Sequence, residues 1–108
     1  MVKIDNLPKK LLKKGLRERL LEICKGNDIS FMAIFGSFVR GEESRRSDID
    51  IAIEFNDKSR KNLFDLIRIE DELKKIFGRE VDLGILSAIN PNIMEDVKKE
   101  MIVIYEQR

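Results

Sequence analysis

Histidine is missing from these 108 residues, which excludes His-based triads, His-ligated zinc and imidazole general bases. Tryptophan is absent too, and the single cysteine, Cys24, rules out a disulfide framework within the chain. Cys24 falls among helically spaced apolar residues and is expected as a small buried hydrophobe. No apolar stretch approaches the length that spans a bilayer, and no leader pattern opens the chain, so a cytoplasmic protein without membrane contact is expected. Charge of one sign is not in excess either. Charged residues make up 38% of the chain, yet the net charge is +1, which disfavours a dedicated nucleic-acid coat. The length suits one domain, residues 1–108, able to bury a core without disulfides or a structural metal.

What charge there is sits unevenly. Residues 1–25 carry eight Lys/Arg against three Asp/Glu, a net of +5, and the rest of the chain carries −4. Lys9, Lys10, Lys13, Lys14, Arg17 and Arg19 crowd the first helix. A run of this kind is ordinarily a solvated face; its functional alternative is contact with RNA or with an acidic partner surface.

Hydrophobic spacing predicts the elements. Leu12, Leu16, Leu20 and Ile23 mark a helical stripe with Pro8 near its start, a break available at Gly15, and an end at Gly26-Asn27-Asp28. Phe31 to Phe35 is a continuous apolar run, read as a strand covered on both faces. Asp48 to Glu54 alternates as a strand. Leu63, Leu66, Ile69, Leu73, Ile76 and Phe77 give a second helix, with Asp57 or Ser59 as its cap and Gly78 as its stop. Glu80 to Leu86 reads as another strand. Asn90-Pro91 opens a last helix lined by Ile93, Met94, Val97 and Met101, and Ile102 to Tyr105 forms a closing strand.

Chemistry concentrates in two of these strands and one turn. Gly36-Ser37 follows the Phe31–Phe35 run. Glycine permits a sharp turn or a close backbone approach, and Ser37 is a good cap for a short helix over Phe38 to Gly41, whose free N–H groups attract phosphate. Ten residues later come Asp48-Ile49-Asp50. Strand alternation puts Ile49, Ile51 and Ile53 on one face and Asp48, Asp50, Ala52 and Glu54 on the other. Two carboxylates one pleat repeat apart repel unless a cation lies between them, and hard oxygen ligands suit Mg²⁺ or Mn²⁺. Asp82 shares a face with Gly84, opposite Val81, Leu83 and Ile85. If its strand lies beside the Asp48 strand, Asp82 completes a cluster of three carboxylates.

Other phosphate and metal motifs do not fit. Gly36 to Ser47 lacks the Gly-Lys-Ser/Thr ending of a P-loop. Ala52 and Ile53 fall where an EF-hand needs a ligand and a glycine. The Gly-x-Gly of a dinucleotide fingerprint is absent.

A Gly-Ser pair, ten residues, Asp-x-Asp and a later third carboxylate resemble the minimal nucleotidyltransferases of the DNA polymerase β superfamily. Arg40-Gly41 in the first turn and Ser47 directly before Asp48 are similar as well, and the resemblance runs from the helix near Leu11 to Glu106. Val39 departs from the smaller residue common there. The resemblance implies an α/β (α+β) nucleotidyltransferase fold, a small mixed sheet with helices packed on it. It implies an enzyme with Asp48, Asp50 and Asp82 as catalytic and metal-binding residues. Gly36 and Ser37 would grip the β- and γ-phosphates of ATP, and Arg40, Arg45 or Arg46 would neutralise phosphate charge. Many members are antitoxins encoded with a HEPN-domain toxin, and those with an assigned activity transfer AMP to a toxin tyrosine. The implied alternative is a non-catalytic antitoxin that neutralises its HEPN partner by covering it. A small-molecule acceptor is disfavoured because no substrate domain is evident. The sequence leaves homo-oligomer formation open.

Overall fold

The same alternation that separates the isoleucines from the aspartates at 49–55 organises the sheet. The computed structural model describes residues 2, 7, 9–36, 48–57 and 60–107. A 3₁₀ turn at Lys9–Leu11 leads to α1, Leu16–Gly26, and then come β1, Ile29–Phe35, and β2, Ile49–Phe55. These are followed by α2, Leu63–Phe77, and β3, Val81–Ile85. A second 3₁₀ turn at Leu86–Ala88 precedes α3, Pro91–Glu100, and β4, Ile102–Glu106. The sheet order is β3-β2-β1-β4, with β1 antiparallel to both β2 and β4 and β2 parallel to β3. This is the mixed sheet expected, with α1 packed on β1, α2 on β3, and the two helices touching each other.

The core lies between the helices and one face of the sheet. Ile49, Ile51, Ile53, Met32 and Ile34 are fully buried there, with Leu16, Leu20, Leu73 and Ile69 from the helices. Each such side chain contributes about 1.5–3 kcal/mol by leaving water. Phe31 and Phe35, expected to be covered, are only half-buried, because they point to the other face. β1 also begins at Ile29, two residues before the apolar run, since pairing to Phe55 extends it.

Element ends depart from expectation where capping decides them. At Gly15 the available break is taken: a φ of 80° there separates the 3₁₀ turn from α1, which starts at Leu16. α2 is capped by Asn62 rather than by Asp57; Ser59, the other expected cap, lies outside the described residues. The Asn62 side chain accepts from the Asp65 N–H at 3.2 Å, and the Asp65 carboxylate accepts from the Asn62 N–H at 3.0 Å, a reciprocal box that Asp57 is too far upstream to form. Arg68 extends this cap to α1: it donates to Asp65 at 3.1 Å and to the buried Asn27 side chain at 2.8 Å. Asn27 in turn donates to the Ile23 carbonyl at 2.9 Å, so the end of α1 and the start of α2 share one polar network. In α3, Asn90 caps and Pro91 opens the helix as expected, Met94 and Met101 are half-buried, and the side chains of Ile93 and Val97 lie outside the described set. Among the described residues no helix is long and apolar enough to cross a membrane.

Cys24 is fully buried on α1, and burial pushes its thiol up to about 12. Its stabilising contribution is therefore complete below the ordinary thiol range near 9 and is lost as pH rises toward about 12, where the unfolded chain has already released the proton. At pH 8, iodoacetamide is expected to label Cys24 in denaturant and to leave it unlabelled in native buffer. Prompt labelling of the folded chain, read by mass spectrometry, would contradict the burial.

Candidate active site

β1, β2 and β3 bring three parts of the expected site to one end of the sheet. β1 ends at Phe35, whose partner across the antiparallel pair is Asp50. Gly36 comes next, with φ at 83°, in the left-handed region that costs an L-residue strain. A Cβ placed on Gly36 would run into the Asp50 carboxylate, with Cγ only 3.1 Å away. Glycine here has two jobs: it turns the chain at the end of β1, and it leaves the room that the Asp50 side chain fills. The first follows from sequence. The second needs the pairing of β1 with β2, which sequence spacing does not state.

Asp50 is half-buried within β2, and its parallel-strand partner is Asp82 of β3. The two sit on the same face, their backbones about 4.8 Å apart as neighbouring strands are. The Ile49 N–H donates to the Glu80 carbonyl at 2.9 Å, fixing this register at the entrance to both strands. Asp48 precedes β2 and is exposed, as is Asp82.

The expected cluster is thus a matter of backbone register and not of a formed ligand set. Among the described residues no three carboxylates gather closely enough to hold a metal as they stand. Asp48 lies just outside the strand, so the β2 register does not itself aim it at the other two. The donor set nevertheless suits a hard divalent cation: every donor is a carboxylate oxygen, and two stand on neighbouring strands in register. Ser37, Arg40 and Arg46, with Gly41, Arg45, Ser47 and the short helix expected over Phe38 to Gly41, lie outside the described residues.

Around the carboxylates the sheet face changes character by rows. Phe35, Asp50 and Asp82 form one row across three strands. The next row is Ala33, Ala52 and Gly84, all small. Glu54, one pleat repeat further along β2, accepts from the Ser87 N–H at 2.9 Å and from the Ser87 hydroxyl at 3.2 Å. That contact ties the far end of β2 to the turn after β3, and sequence reasoning missed it. Its only sequence signal was a third acidic residue on the Asp48–Asp50 face. The basic segment lies at the carboxylate end: Lys13 reaches over Gly78, four residues before Asp82, with Nζ 2.7 Å from where a Cβ on that glycine would stand. Lys9, Lys13, Lys14, Arg17 and Arg19 are all exposed.

Gly36→Ala combines a left-handed backbone with a collision against Asp50. It is expected to lower unfolding free energy by about 1–3 kcal/mol in a denaturant titration and to displace Asp50 from its place beside Asp82. An Ala variant as stable as the parent would show that the turn can relax without Asp50 moving.

Comparison with known proteins agrees with this geometry. Residues 18–108 match the family model described as polymerase beta, nucleotidyltransferase. A Methanocaldococcus jannaschii protein described as a candidate protein adenylyltransferase is 32% identical over 87 residues, covering 81% of this chain and 91% of its own. The protein adenylyltransferase MntA of Thermococcus cleftensis is 33% identical over 92 residues, covering 85% of this chain and 84% of its own. In fold, the chain superposes with a TM-score of 0.62 on a chain from the complex of the tri-AMPylated Shewanella oneidensis HEPN toxin with its MNT antitoxin. That match has 15% identity and covers 89% of this chain and 74% of the other. The family match spans most of the chain and relatives stand at about a third identity over nearly all of it, so this chain belongs to the polymerase β-type nucleotidyltransferases and is a nucleotidyltransferase enzyme.

Proposed function

We propose that this chain transfers AMP from ATP to a tyrosine hydroxyl on a HEPN-type partner protein in the cytoplasm, and silences that partner as its antitoxin. The observation that carries the reading is the parallel register setting Asp82 beside Asp50, next to the Gly36 turn. The relatives' names supply the nucleotide, and the AMPylated HEPN toxin of the solved complex supplies the acceptor class.

The sheet order gives the site a direction. Gly36 stands at the end of β1, Asp48 and Asp50 lie on the central β2, and Asp82 lies on the outer β3. Gly36 and Ser37 therefore take the triphosphate, with Arg40 and Arg46 offsetting its charge. Asp82 takes the acceptor side. The acceptor oxygen attacks the α-phosphorus and forms a new O–P bond. The bond from that phosphorus to the α,β-bridging oxygen breaks, pyrophosphate leaves with the electron pair, and Asp82 accepts the hydroxyl proton. Asp48 and Asp50 would hold Mg²⁺ or Mn²⁺ against the phosphates, with Asp82 as the third ligand. A bound cation supplies neutralisation of the leaving pyrophosphate and a lower pKa for the attacking hydroxyl.

Two measurements test the reading. Titration calorimetry is expected to show saturable Mg²⁺ binding that tightens when ATP is present, because Mg²⁺ relies on few carboxylates plus phosphate. No metal binding even with ATP would defeat the ligand assignment. Mass spectrometry of a co-expressed HEPN-type partner is expected to show added AMP with the parent enzyme and none with Asp82→Asn, while that variant keeps ATP affinity within a few-fold. An unmodified partner, still neutralised by an Asp48/Asp50 double variant, would instead establish the covering antitoxin.

A further inference from the structure

Helix α2 carries apolar side chains on two faces, and only one of them packs into the core. Ile69, Leu73, Ile76 and Phe77 are buried, and Leu66 packs against them half-buried. Leu63, Phe64 and Ile67 stand on roughly the opposite side of the helix and are 67%, 80% and 52% exposed. Spacing alone counts Leu63 with the inward stripe; the structure puts it outside. Leu63 and Phe64 lie four and three residues before Ile67, which makes them neighbours on a helix surface, so the three form one patch. The start of α2 is held by the Asn62–Asp65 box, which engages none of them. Singly exposed apolar residues are ordinary, but a cluster rimmed by charge marks contact with another molecule.

The charges around the patch fit a second copy of the same helix. Ile67 and Asp71 follow Phe64 at intervals of three and four, the spacing of a helix–helix seam. Two copies of α2 laid antiparallel set Phe64 of each against Ile67 of the other, closed by a two-fold axis between them. Four residues outward from Phe64 is Arg60, where the chain approaches α2, and four outward from Ile67 is Asp71. The same pairing brings Arg60 of each copy toward Asp71 of the other, so both ends of the seam match cation to anion. Both residues are exposed, and neither has an ion pair among the described residues. Their neighbours Lys61 and Glu70, by contrast, already pair with Asp28 and Lys74. A parallel arrangement would oppose like charges at both ends.

We propose that the Leu63–Phe64–Ile67 face is a homodimer contact, covered by a second copy of this chain docked antiparallel through α2. Dimer formation is independent of the transfer reaction proposed above. The contact also leaves the carboxylates open: α2 begins beyond the far end of β2, whereas Asp50 and Asp82 lie near the starts of their strands. A stable interface takes about 800 Å² from each copy, more than three side chains supply. The dimer is therefore expected to be reversible, with a dissociation constant of about 1–100 µM.

Sedimentation equilibrium of the full chain is expected to show a monomer–dimer equilibrium in that range. Phe64→Glu is expected to raise the dissociation constant at least tenfold. It is expected to melt at or above the parent's temperature, since the residue is exposed and an acid in the first turn of a helix is favourable. Arg60→Asp and Asp71→Arg are each expected to weaken the dimer several-fold, and the double variant to restore it. That rescue separates contact between copies from a general charge effect. A chain monomeric throughout, a dimer indifferent to Phe64→Glu, or a double variant no tighter than the singles would overturn the proposal. A lower melting temperature for Phe64→Glu would make the side chain structural and overturn it too. A monomer that loses capture of a HEPN-type partner on Phe64→Glu would give the face to that protein instead, with the same result.

Discussion

Ile49, Ile51 and Ile53 lose all contact with water against the helices, and that burial decides which way Asp50 faces. A strand has a period of two, so a slip of one residue in β2 would place the isoleucines in water and the aspartates in the core. Losing three buried isoleucines would cost several kcal/mol, and placing unpaired carboxylates in the core would cost more. The acidic residues of β2 thus take one face because the isoleucines require the other. Val81 on β3 obeys the same rule, and the parallel register then leaves Asp82 nowhere to stand but beside Asp50. Hydrophobic burial on the other side of the sheet thus sets the alignment of these two residues.

The helices contribute by fixing the strands. α2 carries the chain back from the far end of β2 so that β3 can run parallel to it, a return that needs a crossover. Its start is pinned by the Asn62–Asp65 box and by Arg68 on Asn27, and its end by Gly78. Both pins decide where Val81 enters the sheet, and so the register of Asp82 against Asp50. The Glu54–Ser87 contact fixes the other end of the same pair of strands. Residues distant from the carboxylates therefore hold their alignment through the length of β2 and β3.

Much of this was legible in sequence, for physical reasons that differ by element. The strand at 49–55 and the helix at 63–77 show complete apolar periods, and a period states which face is buried. The placement of Asp50 beside Asp82 was readable because a charge inside an apolar strand stands out from its pattern. What was not legible depends on partners distant in the chain. Asp57 looked like the cap of α2 because turn residues surround it, but the cap is set by the reciprocal partner three residues on, and only Asn62 has one. Phe31 and Phe35 read as core because they interrupt no apolar run, yet their half-exposure follows from strand phase once β1 is paired. The contact of Gly36 with Asp50 belongs to the same class: glycine announces a turn, while the side chain it accommodates comes from the facing strand.

The order of strands also bears on how a large acceptor can reach the carboxylates. Asp50 lies on an inner strand flanked by Phe35, whereas Asp82 lies on the edge of the described sheet, with no further described strand beyond it. In the transfer proposed above, an acceptor arriving from the β3 side would meet Asp82 before Asp50, with the triphosphate assigned to the Gly36 side. Lys13 reaches over Gly78, near the start of β3, and Lys9 and Lys14 close to it in the chain are exposed. Charge placed there acts over about 8–10 Å at ordinary salt. Of the two carboxylates, the sheet thus encloses Asp50 between neighbouring strands and leaves Asp82 on the outer one.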